Sequence, residues 1–491
     1  MITAISRSRL SPLERGLSAM TRIEPGEGKL VGLFALNGFA LLLAIYLLKP
    51  VRDALILADG AAEVRSYAGA AIALVLLLVM PGYGALVRRF GKAVASRCST
   101  LALVFGLVLF SLGHAAGIGI GFAFFVWVGV VGVLVIAQFW ALATDLHSTE
   151  SGARLLPVVA VGASLGAWFG ALTATHSLRA VGPDGTMLVA GGLLSLTTLL
   201  VDLARRAAPR PERRASSGAP TAKSSVGGFG AVLRNPYLAL IAVSVVLFNW
   251  INGTGNFVLA NAILGQADAM REAGATAGRT ELIGALYSRF YTWVNLLGFV
   301  LQVLIVSRLL RGIGAGAAAL VVPVIMAVGY TLIACLPIFS VVHTIKTLEE
   351  GCSHSIQSTT RHALFLPLDR EASFEGKTII DTIFWRLGDL IQAGAIYAGS
   401  TWLGFEAKHF VVFNVVLALG LILVVVAIAR KHARLTRASG SSRDAEGPRP
   451  HSRRCVQALA SGDDQGQPGQ DQEGGLGFRD DRDLREQRTW T

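Results

Sequence analysis

Charge is scarce in this 491-residue chain: Asp, Glu, Lys and Arg make up 15% of it, against roughly a quarter of an ordinary soluble domain. With 53% hydrophobic residues and a mean hydropathy of +0.56, that scarcity excludes a soluble globular enzyme. Cysteine is equally sparse. Cys98, Cys335, Cys352 and Cys455 lie far apart without a CxxC pair, so no disulfide framework, Cys-based zinc site or redox centre is indicated. Nucleotide-hydrolysis and protease signatures are missing too. Gly376, Lys377 and Thr378 resemble the end of a phosphate loop, but Glu371 stands where that loop needs glycine, and neither HExxH nor GxSxG occurs. No cofactor and no metal are implied. Alternating apolar runs of about 10 residues, the mark of a transmembrane β-barrel, are absent.

The apolar residues instead fall in blocks of about 20, enough to cross about 30 Å of hydrocarbon as a helix. The predicted class is therefore an all-α membrane protein with about twelve spans. These run over Leu30–Leu57, Tyr67–Val87, Ser99–Leu112, Ile118–Thr144, Leu155–Thr173 and Met187–Ala204 in a first half. A second half has Pro236–Leu264, Ile283–Leu310, Ala315–Leu336, Ile338–Leu364, Thr378–Gly399 and Phe410–Ala429. Residues 1–29 form a polar N-terminus without a cleavage site, and 30–204 and 236–430 form the two six-helix halves. Residues 205–235 are a basic, flexible linker, and 431–491 a polar tail too poor in apolar residues to fold alone.

The net charge of +12 is read as topology signal, with no nucleic-acid partner, because the cations sit in short loops. Arg88, Arg89, Lys92, Arg97 and the linker arginines collect on the side of both termini, leaving Lys49, Arg52, Arg65, Arg179, Arg271, Arg279 and Lys408 opposite. Both termini are thus expected in the cytoplasm of a bacterial inner membrane. The loops GYGALVRRFGK and SRLLRGIGAG recur six spans apart, as two repeated halves require.

Ionisable groups inside a bilayer cost at least about 2.5 kcal/mol each on insertion scales, so they mark a bundle interior or a wet cavity. The tenth span carries Lys346, Glu349, Glu350, His354, Gln357 and Arg361 largely on one helical stripe. Two readings stay open: a self-paired ladder joining Lys346 to Glu350 and Glu350 to His354, or the wall of a pathway whose cations receive an anionic solute and whose Glu350 and His354 can carry a proton. The eleventh span adds Asp381, Arg386 and Asp389, with Arg386 and Asp389 spaced to neutralise each other. Lys49, Arg52 and Asp53 end the first span, either snorkelling into headgroups or contacting solute as an outer gate. Asn249, Asn252 and Asn256 share one face of the seventh span among glycines. The fourth adds Gln138, Trp140 and Asp145. Gly162, Gly166 and Gly170 in the fifth read as a helix-packing stripe.

Three segments resemble the bacterial and plastid ATP/ADP translocases and their NTP/NDP exchange relatives, a branch of the major facilitator superfamily. They are YLLKPVRDALIL, FWALATDLHSTESGARL with the following VGASLGA, and RHALFLPLDREASFEGKTIIDTIFWRLGD. The resemblance implies the major facilitator fold, an antiporter of ATP and ADP, and site residues Arg52, Asp53, Lys377, Asp381 and Arg386. Asp389 stands where the nucleotide carriers place lysine, and an added anion opposes a polyanionic substrate. The expected function is secondary transport by alternating access of a small anionic solute, with ATP/ADP exchange the form the resemblance suggests. No oligomer is implied. The rivals are a membrane enzyme acting on a lipid-linked substrate through Glu350, His354 and His362, which would need its cluster at the membrane surface, and a sensor that has lost transport.

Overall fold

The computed structural model describes residues 14, 21, 23, 24, 27–145, 149–207 and 225–445. Among them every regular element is helical. In chain order these are α1 (Glu27–Asp59), α2 (Ala62–Ala115), α3 (Gly121–Asp145), α4 (Thr149–Ala207), α5 (Ser225–Arg234), α6 (Pro236–Glu272) and α7 (Arg279–Leu304). Then follow α8 (Val306–Ala318), α9 (Val321–Cys335), α10 (Phe339–Cys352), α11 (Ser358–Ala363), α12 (Arg370–Ile379), α13 (Trp385–Trp402) and α14 (Ala407–Ala445). Two π-helical turns, Ser353–Gln357 and Ile380–Phe384, join α10 to α11 and α12 to α13.

Seven helical stretches are long and apolar enough to cross a membrane, or eight if α7 and α8, bent by 77°, form one broken span. The longest helices hold more than one crossing. At 1.5 Å per residue the 59 residues of α4 would run about 88 Å, and glycines interrupt both long helices. Gly91 in α2 has φ 80°, ψ 160°, and Gly182 in α4 has φ 68°, ψ −176°, backbone that side chains with a Cβ avoid. The break recurs in the second half: Gly314, in the loop repeated from Gly91, has φ 75°, ψ 165°. The sequence repeat is therefore also a repeat of backbone geometry.

Packing forms two main cores. One is built from residues between Leu30 and Ala204, with Phe34, Leu41, Leu48, Phe124 and Leu194 fully or nearly buried. The other draws mostly on residues between Phe248 and Val425, joined by Ala54, Ile56, Leu57, Ala62, Ala68 and Phe125. In the first core α1 lies directly on α4. A methyl added at Gly162, Gly166 or Gly170 would fall inside van der Waals contact of the backbone oxygens of Ala35, Phe39 and Leu43. The stripe is thus a packing seam, as its spacing suggests.

Several expected boundaries move. The seventh span continues to Glu272 and the eleventh begins at Arg370, while the eighth stops at Leu304 before the bend. The linker is not wholly irregular: α5 is helical and seats Val232 against Tyr237, Leu238, Leu364 and Ile379. The tail is helical up to Ala445, because α14 carries on past its apolar stretch. Residues 208–224 and 446–491, the rest of the linker and tail, lie outside the described residues.

Candidate functional site

Buried polarity gathers in two places. The first is where α1 ends, α2 begins and α7 passes. Asp53, fully buried, lies 2.8 Å from Arg65 Nε and 3.6 Å from an Arg52 amino nitrogen. It also accepts a hydrogen bond of 2.7 Å from Tyr291 Oη of α7. Arg52 sits 4.2 Å over the Phe125 ring, and Lys49 Nζ is 3.8 Å from the Tyr46 ring and 5.4 Å from that of Tyr291. Asp53 is fully buried and Arg52 largely so. Two arginines face one carboxylate here, and Lys49, nearby on the Tyr46 and Tyr291 rings, has no carboxylate partner among the described residues. The Arg52 Nε and the Tyr287 hydroxyl are buried without a hydrogen bond. Further contacts between the two stretches of chain flank this cluster: Arg179 with Glu281 at 3.2 Å, and Ser288 donating to the Ala171 carbonyl at 2.6 Å.

The second cluster lies on α10. Lys346, fully buried, donates to Glu349 Oε1 at 2.8 Å and lies 3.9 Å from Glu350. Tyr330 of α9 donates to Glu349 Oε2 at 2.7 Å. From α6, Asn252 Nδ2 bridges both carboxylates at 3.2 and 3.0 Å, and Asn256 reaches Glu350 at 3.3 Å. Glycine makes this possible, since a Cβ at Gly255 would overlap Tyr330 Oη and come within 3.0 Å of Lys346 Nζ. Both rungs of the expected ladder are present as long contacts, and the first gains a closer member: Lys346 binds Glu349, at i+3, more tightly than Glu350, at i+4. In the second rung His354 Nδ1 stands 3.8 Å from Glu350 Oε2 and bonds the Glu350 carbonyl at 2.6 Å instead.

A cavity of about 280 Å³ opens beside this cluster, lined among others by Asn249, Asn252, Glu350, His354, Arg361 and Trp385. Lys346, placed by its spacing on a pathway wall, is behind that wall. Arg361 pairs with Asp381 at 3.1 Å and covers the Trp385 ring at 4.7 Å, and Arg386 pairs with Asp389 at 3.2 Å. Asn249 donates to the Trp385 carbonyl at 3.0 Å. A second cavity of about 480 Å³ shares His354 and Ser358 with the first and adds Tyr46 of α1, Trp140 of α3, Ser164 of α4 and Asn295 of α7. The two cavities thus adjoin at His354 and Ser358, and α1 reaches the larger through Leu42 and Tyr46, about one turn before Lys49.

Sequence reasoning passed over Glu349 as a site residue and missed Tyr330, Arg65, Tyr287 and Tyr291. Arg65 looks like a loop cation until α2 is seen to begin at Ala62. The tyrosines are indistinguishable from core aromatics by spacing alone.

No protein-family model matches the chain, and no curated protein matches it in sequence. Its fold is shared with solved transporters. The nucleoside transporter NupG superposes with a TM-score of 0.60 at 10% identity, covering 80% of this chain and 98% of that one. The POT family transporter PepTSo gives 0.56 at 13%, covering 82% and 98%, and the human organic anion transporter MFSD10 (TETRAN) gives 0.53 at 15%, covering 82% and 100%. These are transporters of the major facilitator type, and at such identities the likeness establishes the fold.

Proposed function

We propose that the chain is a secondary transporter that moves a small anionic solute by alternating access. Its twelve spans form two halves, residues 30–204 and 236–430, in a bacterial inner membrane with both termini cytoplasmic. The observation that carries this reading is the larger of two adjoining cavities, whose wall comes from both halves and includes Tyr46, itself packed on the Tyr291 that bonds Asp53. Alternating access needs such a shared space, closed at one end by contacts that can be exchanged for contacts at the other. Arg65, Asp53 and Tyr291 supply the closure.

The charges favour an anion at the α1 end. Lys49, Arg52 and Arg65 outnumber Asp53 there, and Lys49 is held by aromatic faces alone. At the other end Arg361 and Arg386 each hold a carboxylate, so an entering anion takes the place of Asp381 or Asp389 and returns it on leaving. Transport of nucleosides, peptides and organic anions by structural neighbours supports a small-solute substrate. ATP/ADP exchange is the form suggested by the sequence resemblance. Against it stands a cavity whose own cations are already matched by carboxylates, which suits one or two negative charges better than three or four.

The test is counterflow in proteoliposomes with labelled ATP, ADP, succinate and lactate, and uridine as the neutral comparator. Uptake of one anion that depends on the same anion loaded inside supports the reading. Folded protein that exchanges none of them, or exchanges uridine alone, refutes an anion carrier.

A further inference from the structure

Lys346, Glu349 and Glu350 place two carboxyl groups and one ammonium within a single helical turn, Lys346 and Glu349 being fully buried. We propose that Glu349 and Glu350 share one proton that is carried together with the solute, entering and leaving through Glu350. The protein is then a proton-coupled transporter, an inference that rests on the transporter reading above.

Charge balance is the first support. The groups facing the pair are Lys346 and His354 from its own helix and π-turn, Tyr330 from α9, and the amides of Asn252 and Asn256 from α6. Lys346 is the only permanent cation among them, since Arg361 on the same cavity wall pairs with Asp381. Two ionised carboxylates would therefore leave one buried negative charge uncompensated, which a protein interior avoids by neutralising the group. A single proton on the pair removes it.

Geometry is the second. The Oε1 atoms of both residues converge on Asn252 Nδ2 and Lys346 Nζ, so the two carboxyl groups compete for the same donors. Two such groups titrate as a unit. They differ in access. Both Glu349 oxygens accept hydrogen bonds, from Lys346, Asn252 and Tyr330, in a site closed to water. Glu350 is 16% exposed and lines the cavity, and its Oε2 accepts no hydrogen bond among the described residues. In the transfer, a hydronium in the cavity gives its extra proton to the Glu350 carboxylate and leaves as water, and after the cavity has opened to the other side a water there takes the proton as hydronium. No other bond changes.

The experiment has two arms. In the first, infrared spectra of the purified protein in lipid, at neutral pH and with deuterium exchange, read protonated carboxyl groups directly and need no solute. One exchangeable carboxyl band is expected in the wild type. Either Glu349→Gln or Glu350→Gln abolishes it, because one carboxylate then matches Lys346. Lys346→Met adds a second. A wild type with no such band, or one that both glutamine substitutions leave intact, overturns the proposal; the wild-type spectrum decides even if a variant misfolds. In the second, a pH dye inside proteoliposomes that hold no solute follows net uptake of whichever of ADP, succinate or lactate exchanged in counterflow. One proton entering per solute taken up, and none in Glu349→Gln, is expected. Net solute uptake without proton entry, or exchange with no net uptake at all, sinks the coupling while leaving the transporter intact, so the two failures are distinct.

Discussion

Removing one oxygen atom, in Tyr291→Phe, should unlatch the α1 end of the proposed transport pathway. Tyr291 Oη donates to Asp53 Oδ2 at 2.7 Å across the join between α1 and α7, and Asp53 is fully buried. A hydrogen bond to a charged group contributes about 1.5–3 kcal/mol, and each 1.4 kcal/mol is a factor of about ten. In the proposed cycle the bond exists only while that end is shut, so its loss should raise the population open at that end roughly ten- to hundredfold, as long as that population remains minor. Tyr287→Phe is the matched control. Its hydroxyl, one turn away, is buried with no hydrogen bond, and deleting an unsatisfied group of that kind is neutral or slightly stabilising. The ring that faces Arg65 at 5.5 Å is kept. The assay is labelling of Ser164→Cys, on the cavity wall, by a membrane-impermeant maleimide from each side, with the native cysteines replaced. Labelling from the α1 side should accelerate in Tyr291→Phe and stay near the parent rate in Tyr287→Phe. Equal rates in the two variants would refute the latch.

Lys49→Gln removes a cation with no carboxylate partner among the described residues and should raise the apparent KM for the anion roughly ten- to hundredfold, on the same charged-contact magnitude; concentration-dependent counterflow checks it. Gly166→Ala drives a methyl against the Phe39 carbonyl and should lower the thermal midpoint sharply, whereas Gly192→Ala, which meets nothing within 4 Å, should leave it unchanged. Gly255→Ala should also destabilise, by displacing the Tyr330 hydroxyl from Glu349, and Tyr330→Phe combined with it should cost less than the two changes added. Reversing the 3.1 Å pair as Arg361→Asp with Asp381→Arg should recover part of the stability lost in either single change, giving a coupling of about 0.5–3 kcal/mol in a double-mutant cycle.

Much of the fold could be read from the chain because a bilayer leaves few options: apolar blocks of about 20 residues must be helices. The glycine stripe at 162, 166 and 170 was equally legible, since four-residue spacing of small residues has one main use in membranes. Pairings at i+3 and i+4 were only half legible. Helical spacing brings both Glu349 and Glu350 within reach of Lys346, and it is Tyr330 of α9 that holds Glu349 in the closer position. The latch was illegible for a related reason. Asp53, Arg65 and Tyr291 come from three helices, one of them more than two hundred residues away in sequence, and no local pattern records such a meeting. Extended helix ends, as in α6 and α14, escaped hydropathy because a helix persists past its apolar stretch wherever polar residues can reach water.

The two halves share backbone geometry at Gly91 and Gly314 but divide the labour. Residues 30–204 approach each other through glycine and bury their first helix tightly on α4, and among their described residues the one buried charged side chain is Asp53, at the end of α1. The α10–α13 stretch of the second half carries Lys346, Glu349, Glu350, Arg361, Asp381, Arg386 and Asp389 and contains both π-turns. A π-turn inserts a residue into the helical ladder and rotates the side chains that follow it, and such turns concentrate at functional sites. Here the first lies between Glu350 and Arg361 and turns His354 and Gln357 to the cavity, while the second carries Asp381 to Arg361. Helices interrupted in this way bend more readily than the close-packed α1 and α4. Movement that opens and closes the cavity should therefore be concentrated in α10–α13, with the first half as the fixed wall. Hydrogen exchange in lipid tests the assignment: amides of the two π-turns should exchange faster than those of Ala35–Leu43, and the reverse order would place the moving wall in the first half.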